Sequence, residues 1–167
     1  MNPLFEFCLR IGDSTLILGH RVSEWCGHAP VLEEDIALAN TALDLIGQTQ
    51  LWLGLAGGIE GKGRDADALA YRRDAAQFRN FLLVERPNGD FGQTIVRQCL
   101  LDLWRLELFE QLTQSTDMRL AQIAAKAVGR QRLPQQRRQG VKRTLRQERD
   151  GREGAVGHPL ICSHNMG

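Results

Sequence analysis

Residues Pro30 to Gly58 read PVLEEDIALANTALDLIGQTQLWLGLAGG, and this stretch decides the fold. Leu32, Ile36, Ala39, Leu43, Ile46 and Leu53 recur in steps of four and three, with Gln50 the one polar residue in register. That is the period of one face of an α-helix. Pro30 suits a first helical turn, where its missing N–H costs nothing. Glu33, Glu34 and Asp35 follow at the end of the helix dipole that favours negative charge. Gly57-Gly58 marks the expected stop.

Outward from this helix the same reasoning finds four more. Asp13 can cap a helix running to about Cys26, with Leu18, Val22 and Trp25 on one face. Residues 57–67 form a glycine-rich connection, followed by a shorter helix around Ala66–Phe78. Pro87-Asn88-Gly89 is a turn. Asp90 and Gln93 then make a capping box that opens a third long helix, to about Gln114. Its apolar residues form two stripes: Ile95, Cys99 and Leu106 on one side, and Leu101, Trp104, Leu108 and Leu112 roughly opposite. Two stripes ask for two neighbours, either both within a bundle or one in another subunit. Asp117 caps a fourth long helix, Met118 to Val128. Phe81–Val84 is a short apolar run that can be extended, but no other strand pattern accompanies it. The fold class is all-α.

Composition narrows the setting. The chain has 167 residues and ordinary apolar content, one domain's worth of material. The longest apolar runs, Leu51–Ala56 and Phe81–Val84, fall far short of a membrane span. Glu6 interrupts the place where an export signal would be apolar, so no export is expected. Cys8, Cys26, Cys99 and Cys162 are widely spaced with no CxxC pair, as expected of buried thiols in a cytoplasmic protein rather than a zinc site or disulfide framework. Charge changes sharply after Val128. Residues 1–128 hold 12 Lys/Arg against 17 Asp/Glu, and the last 39 hold 9 against 3. Apolar periodicity stops at the same point.

Several chemistries can be weighed on these residues. Helical bundles that activate oxygen hold two metals with Glu residues and Glu-x-x-His pairs. Here no Glu is followed three residues later by His. His20, Glu24 and His28 lie four apart, and a continuous helix would stack them as a possible divalent metal site. Gly27 and Pro30 argue against that continuity and favour a capping or interface cluster. Asp44 and Asp102 fall among apolar neighbours, either as a site or as partners of an arginine such as Arg97 or Arg105. The run Gly57–Gly63 lacks the upstream glycine and the hydroxyl residue of a phosphate-binding loop. No Ser/His/Asp or Cys/His arrangement has sequence support. The segment from Gly129 is basic enough to suggest nucleic acid but lacks interleaved aromatics, and its composition points to disorder.

One resemblance draws these readings together. The runs GHR (Gly19–Arg21), SEWCGHAP (Ser23–Pro30), LEEDIALAN (Leu32–Asn40), ALDLIGQ (Ala42–Gln48) and ERPNGDF (Glu85–Phe91) resemble the C-subunit family of the bacterial phenylacetyl-CoA 1,2-epoxidase. This is the multicomponent monooxygenase of phenylacetate catabolism. The similarity covers about Leu16–Val128. It implies a ferritin-like helical bundle, present here as the first half of the family fold. It also implies a structural, non-catalytic subunit in aromatic compound degradation, with no catalytic, cofactor-binding or metal residues of its own. The implied partner is the homologous catalytic subunit, which bears a di-iron centre, with the other members of the complex and a reductase engaged indirectly. Neither nucleic acid nor membrane is an expected partner.

After Val128 the chain departs from the family pattern. The expected organisation is therefore a partial ferritin-like domain over residues 1–128 and a basic, disordered tail over 129–167. A reading-frame shift in the gene would explain the change in charge, periodicity and resemblance together. A bundle lacking a helix leaves an apolar strip uncovered, forgoing on the order of 10 kcal/mol at roughly 25 cal/mol per Å2, so aggregation or loose packing of the isolated chain is expected. Two other functions compete: a stand-alone ferritin-like metal enzyme using His20, Glu24 and His28 or the aspartates, and a nucleic-acid-binding protein acting through the basic segment.

Overall fold

The computed structural model describes residues 2–129. Those residues form helices α1 (Pro3–Ser23), α2 (Leu32–Glu60), α3 (Ala66–Tyr71), α4 (Leu82–Glu85), α5 (Phe91–Leu112) and α6 (118–129), and contain no strand. The all-α class expected from the periodicity is what the chain adopts. The basic segment from Arg130, with Cys162, lies outside the described residues.

α1 begins ten residues before the expected cap. Asn2 is its N-cap, accepting from the Leu4 N–H at 3.0 Å, and Pro3 occupies the first helical position. Asp13 is instead buried in the middle of the helix, held there by an ion pair with Arg73 that local sequence does not announce. The helix stops at Ser23 rather than Cys26, because the chain turns at Gly27 with φ +78°. Nearly every side of α1 is covered, so it is the central helix of the described fold.

α2 starts at Leu32 with Val31 as N-cap, leaving Pro30 outside the helix. It passes through Gly57-Gly58 and ends at Gly61, whose φ of +70° supplies the left-handed stop. The buried face is Leu38, Ala42, Leu45, Gln48, Thr49, Trp52, Leu53 and Ala56. The stripe that gave the helix away lies mostly elsewhere: Leu32, Ile36 and Leu43 are exposed, Leu43 by 68%, and only Leu53 is fully buried. α2 is apolar on two faces, so its period established a helix without choosing the inner side. Packing against α1 made that choice. At Gly12 the two helices are so close that a Cβ would stand 2.5 Å from Leu53 Cδ2.

The helix expected over Ala66–Phe78 is broken. α3 ends at Tyr71, and one 3-10 turn, Ala75–Gln77, follows, with Asp74 and Gln77 capping each other. Phe81–Val84 is not extended; it leads into the single helical turn of α4. Asp90 caps α5, accepting from the Gln93 N–H at 2.7 Å, and Asp117 caps α6, accepting from the Arg119 N–H at 3.0 Å, both as expected. The Gln93 side chain donates to the Asp90 carboxylate at 3.4 Å rather than reaching its backbone N–H, so the expected capping box is half formed.

Two apolar clusters fill the interior. One joins Phe5, Leu9 and Ile11 of α1 to Trp52, Leu53 and Ala56 of α2, Phe109 of α5 and Leu120, Ala124 and Ala127 of α6. The other joins Leu18 and Val22 to Leu38, Ala42, Leu45, Val84 and Leu101. Along each of α1, α2 and α5 the two clusters are separated by buried polar residues.

Candidate functional site

That separating layer is the part of the interior where chemistry could reside. α1 supplies Thr15, α2 supplies Gln48 and Thr49, and α5 supplies Gln98, Asp102 and Arg105, all buried. The Thr15 and Thr49 hydroxyls lie 2.9 Å apart and share one hydrogen bond. One donates to the other while the second donates back to its own helix, Thr15 to the Ile11 carbonyl at 3.1 Å or Thr49 to the Leu45 carbonyl at 3.0 Å. Arg105 donates across the helices to Gln48 Oε1 and contacts Asp102 Oδ1 at 3.4 Å. Gln98 donates to the same Asp102 oxygen at 3.0 Å. These six residues thus hold one carboxylate, bonded to an amide and a guanidinium, with Arg105 as their cation, while the buried acid of α1, Asp13, is paired with Arg73.

α5 carries this layer because its polar residues Thr94, Arg97, Gln98, Asp102 and Arg105 share one helical face. That face is the inner one. Both expected stripes are thereby displaced: Ile95, Cys99, Leu106, Leu108 and Leu112 are half-buried, Leu101 is buried and Trp104 is 43% exposed. Sequence reasoning singled out Asp102 and correctly named Arg105 as a partner. It missed Gln48 and Gln98, because a polar stripe on a helix reads as a solvated face. The three- and four-residue spacings of Gln98, Asp102 and Arg105 were the available signal.

A second polar knot lies at the ERPNGDF run. Asn88 donates to the Arg21 carbonyl at 2.7 Å and to Glu24 Oε2 at 2.8 Å, which satisfies the C-terminal end of α1. Arg97 donates to the Arg86 carbonyl at 2.7 Å and to Asn88 Oδ1. Burial lowers the pKa of this guanidinium from its ordinary value, and the nearby Arg21 charge adds to the effect. Trp25 Nε1 donates to Thr94 Oγ1 at 3.0 Å, and Trp25 meets Phe91 edge-on. Arg97 therefore belongs to this knot rather than to Asp102.

His20, Glu24 and His28 are not stacked. All three are exposed; Glu24 is taken by Arg21 and Asn88, and His28 Nδ1 lies 3.0 Å from the Cys26 carbonyl beyond the end of the helix. Asp44 is half-buried on α2. Among the described residues no group of three or more His, Cys, Asp or Glu side chains is placed to hold a metal ion, and no helix is long and apolar enough to cross a membrane.

Comparison with known proteins bears on this arrangement. A family model described as phenylacetic acid catabolic protein matches residues 1–151 of the chain. A curated relative, the C subunit of the 1,2-phenylacetyl-CoA epoxidase of Escherichia coli (strain K12), is 52% identical over 128 residues, covering 77% of this chain and 51% of the relative. The chain spans about half the length of the curated relative it matches. The family match continues past Val128, where the sequence pattern changes.

Proposed function

The chain belongs to the phenylacetic acid catabolic protein family, whose fold is ferritin-like and helical, and on that premise we propose that it is a structural, non-catalytic subunit of a phenylacetyl-CoA epoxidase complex. Its partner is the homologous subunit bearing the di-iron centre. The reductase and the remaining subunits are reached through that partner. In this reading the chain works in the cytoplasm and carries no cofactor of its own. Residues 1–128 are the family domain in partial form, and the family match runs on into the basic segment as far as residue 151.

The observation that carries the proposal is the guanidinium of Arg105 inside the helices, bonded to Gln48 and Asp102. A bundle that activates oxygen needs carboxylates and imidazoles converging on a cation. Here the convergent groups are amides, hydroxyls and one carboxylate, and a fixed positive charge already stands among them. A metal ion placed beside Arg105 would meet a like charge in a low-dielectric interior, which costs several kcal/mol. The donor set does not fit a di-metal centre. The outward apolar residues of α2 and α5 support the other half of the proposal, because such faces mark surfaces that another chain buries.

Purified chain, analysed for metals and then mixed with the purified di-iron subunit, tests both halves. Sub-stoichiometric iron in the chain, with a stable complex on mixing, is the expected result. Stoichiometric iron in the chain alone, or substrate turnover without the di-iron subunit, overturns the proposal.

A further inference from the structure

Asn88 is the hub of the polar knot at the ERPNGDF run, and the residue after it makes that hub chemically fragile. Its side-chain nitrogen donates to the Arg21 carbonyl and to Glu24 Oε2, and its Oδ1 accepts from Arg97. Its main-chain carbonyl accepts from Thr94 Oγ1 at 3.1 Å. Arg97 is 5% exposed and also donates to the Arg86 and Pro87 carbonyls, so these bonds all go to neutral oxygens. One amide therefore ties together the end of α1, the turn and the start of α5.

Among the chain's asparagines only Asn88 precedes a glycine. The backbone nitrogen that follows an asparagine can attack its side-chain carbonyl carbon, and glycine, having no Cβ, hinders that attack least. Gly89 is exposed, with φ +62°, and among the described residues its N–H donates to no acceptor. The nucleophile is thus free while the carbonyl it would attack is held. Ring closure makes that carbon tetrahedral and swings the group toward the main chain. The three side-chain bonds of Asn88 oppose this movement.

We propose that Asn88 is a deamidation site gated by its own knot, spared while the bonds hold and converted when the turn opens. The Gly89 nitrogen bonds to Asn88 Cγ, the side-chain nitrogen leaves as ammonia, and water opens the resulting imide. Hydrolysis at one imide carbonyl gives aspartate. Hydrolysis at the other gives isoaspartate, whose main chain runs through the former side chain. Neither product can re-form the knot, because the nitrogen that bonded Arg21 and Glu24 is gone. In the aspartate form Arg97 gains a counter-charge, but a second carboxylate stands where the amide lay 2.8 Å from Glu24 Oε2. The conversion unties α1 from the turn and is one-way, so position 88 records how often this end of α5 has opened. The chemistry is confined to this chain and does not rest on the subunit reading.

Ageing of the full chain in mildly alkaline buffer, followed by peptide mapping with mass spectrometry, tests this. Circular dichroism of each variant is the control for folding. Conversion at Asn88 is expected to be slower in the folded chain than in urea by more than about tenfold. Glu24→Ala removes one acceptor at an exposed position, and Arg97→Gln removes the tie to Oδ1. Each is expected to speed conversion of the folded chain by about threefold or more and to leave the rate in urea unchanged. Glu24→Ala alone decides if Arg97→Gln does not fold. Converted chain, separated by its added negative charge, is expected to melt at a lower temperature than fresh chain. Equal rates with and without urea overturn the gate, as do folded variants that convert no faster. A converted fraction that melts like fresh chain overturns the loss of the knot, and an Asn88 that survives ageing in urea overturns the site itself.

Discussion

Arg73, two residues beyond the end of α3, closes an ion pair on Asp13 in the middle of α1, and both side chains are almost wholly buried. The same carboxylate accepts the Arg79 N–H at 2.8 Å, while the neighbouring Ser14 hydroxyl accepts from the Phe81 N–H at 3.1 Å. Arg73 also lies over the Phe78 ring, 4.4 Å from its centroid. Two neighbouring buried residues of α1, Asp13 and Ser14, therefore anchor the connection from Arg73 to Phe81.

Removing that acid leaves a buried guanidinium without its counter-charge. Asp13→Ala is expected to destabilise the chain by about 3–5 kcal/mol. Urea unfolding followed by circular dichroism measures the loss. A change below about 1 kcal/mol would show that the pair contributes packing and no more.

Two glycines of α2 are expected to respond to alanine with opposite signs. Gly54 is a helix-interior glycine with nothing within 4 Å of an added Cβ, so Gly54→Ala should stabilise by about 0.5–1 kcal/mol. At Gly57 the added Cβ would stand 2.1 Å from the Arg64 carbonyl oxygen, a backbone atom that cannot turn aside. Gly57→Ala should therefore destabilise despite the gain in helix propensity. Thermal melting of the pair decides it; a stabilised Gly57→Ala would refute the close approach.

The cap of α6 has a defined acid limit. Hydrogen bonds from Arg119, side chain first and then backbone, lower the Asp117 carboxyl from 3.8 to about 2. A folded-state pKa below the unfolded one gives stability that is present above the unfolded value and lost as pH falls through the folded one. The α6 end should therefore hold at pH 4 and fray on approach to pH 2. Carboxyl NMR titration of Asp117 should give a midpoint near 2, and a midpoint near 3.8 would exclude the bonded cap.

Thiol chemistry should distinguish two cysteines. Burial pushes the Cys8 thiol up to about 12, with the Arg119 charge opposing the shift, whereas Cys26 is exposed. At pH 8 an alkylating reagent should modify Cys26 and spare Cys8 until the chain unfolds. Because the folded-state pKa is the higher one, the neutral Cys8 contributes stability fully below pH 9, and this contribution is lost as pH rises toward 12. Peptide mapping after labelling reads the first effect; rapid native modification of Cys8 would contradict its burial.

Several features were legible from residues close together in sequence. The caps at Asp90 and Asp117 were correct because an N-cap is a local bond, formed within three residues. The helical character of Leu32–Glu60 was legible from its period. Asp13 was misplaced because an aspartate signals a cap equally well whether or not a distant arginine has taken it into the core. The polar layer was half legible: Asp102 and Arg105 are one helical turn apart, whereas Gln48 lies 57 residues away from its partner.

By itself the sequence determined that this protein is helical, where its last two long helices begin, and which family its motifs resemble, since all three follow from local spacing and residue identity. Which face of α2 and of α5 turns inward was decided only by tertiary structure. Both helices are apolar on more than one side, so periodicity leaves the choice open. It was settled by the close approach of α1 and α2 at Gly12 and by the bonds from α5 to Gln48 and Trp25, contacts between residues far apart in the chain.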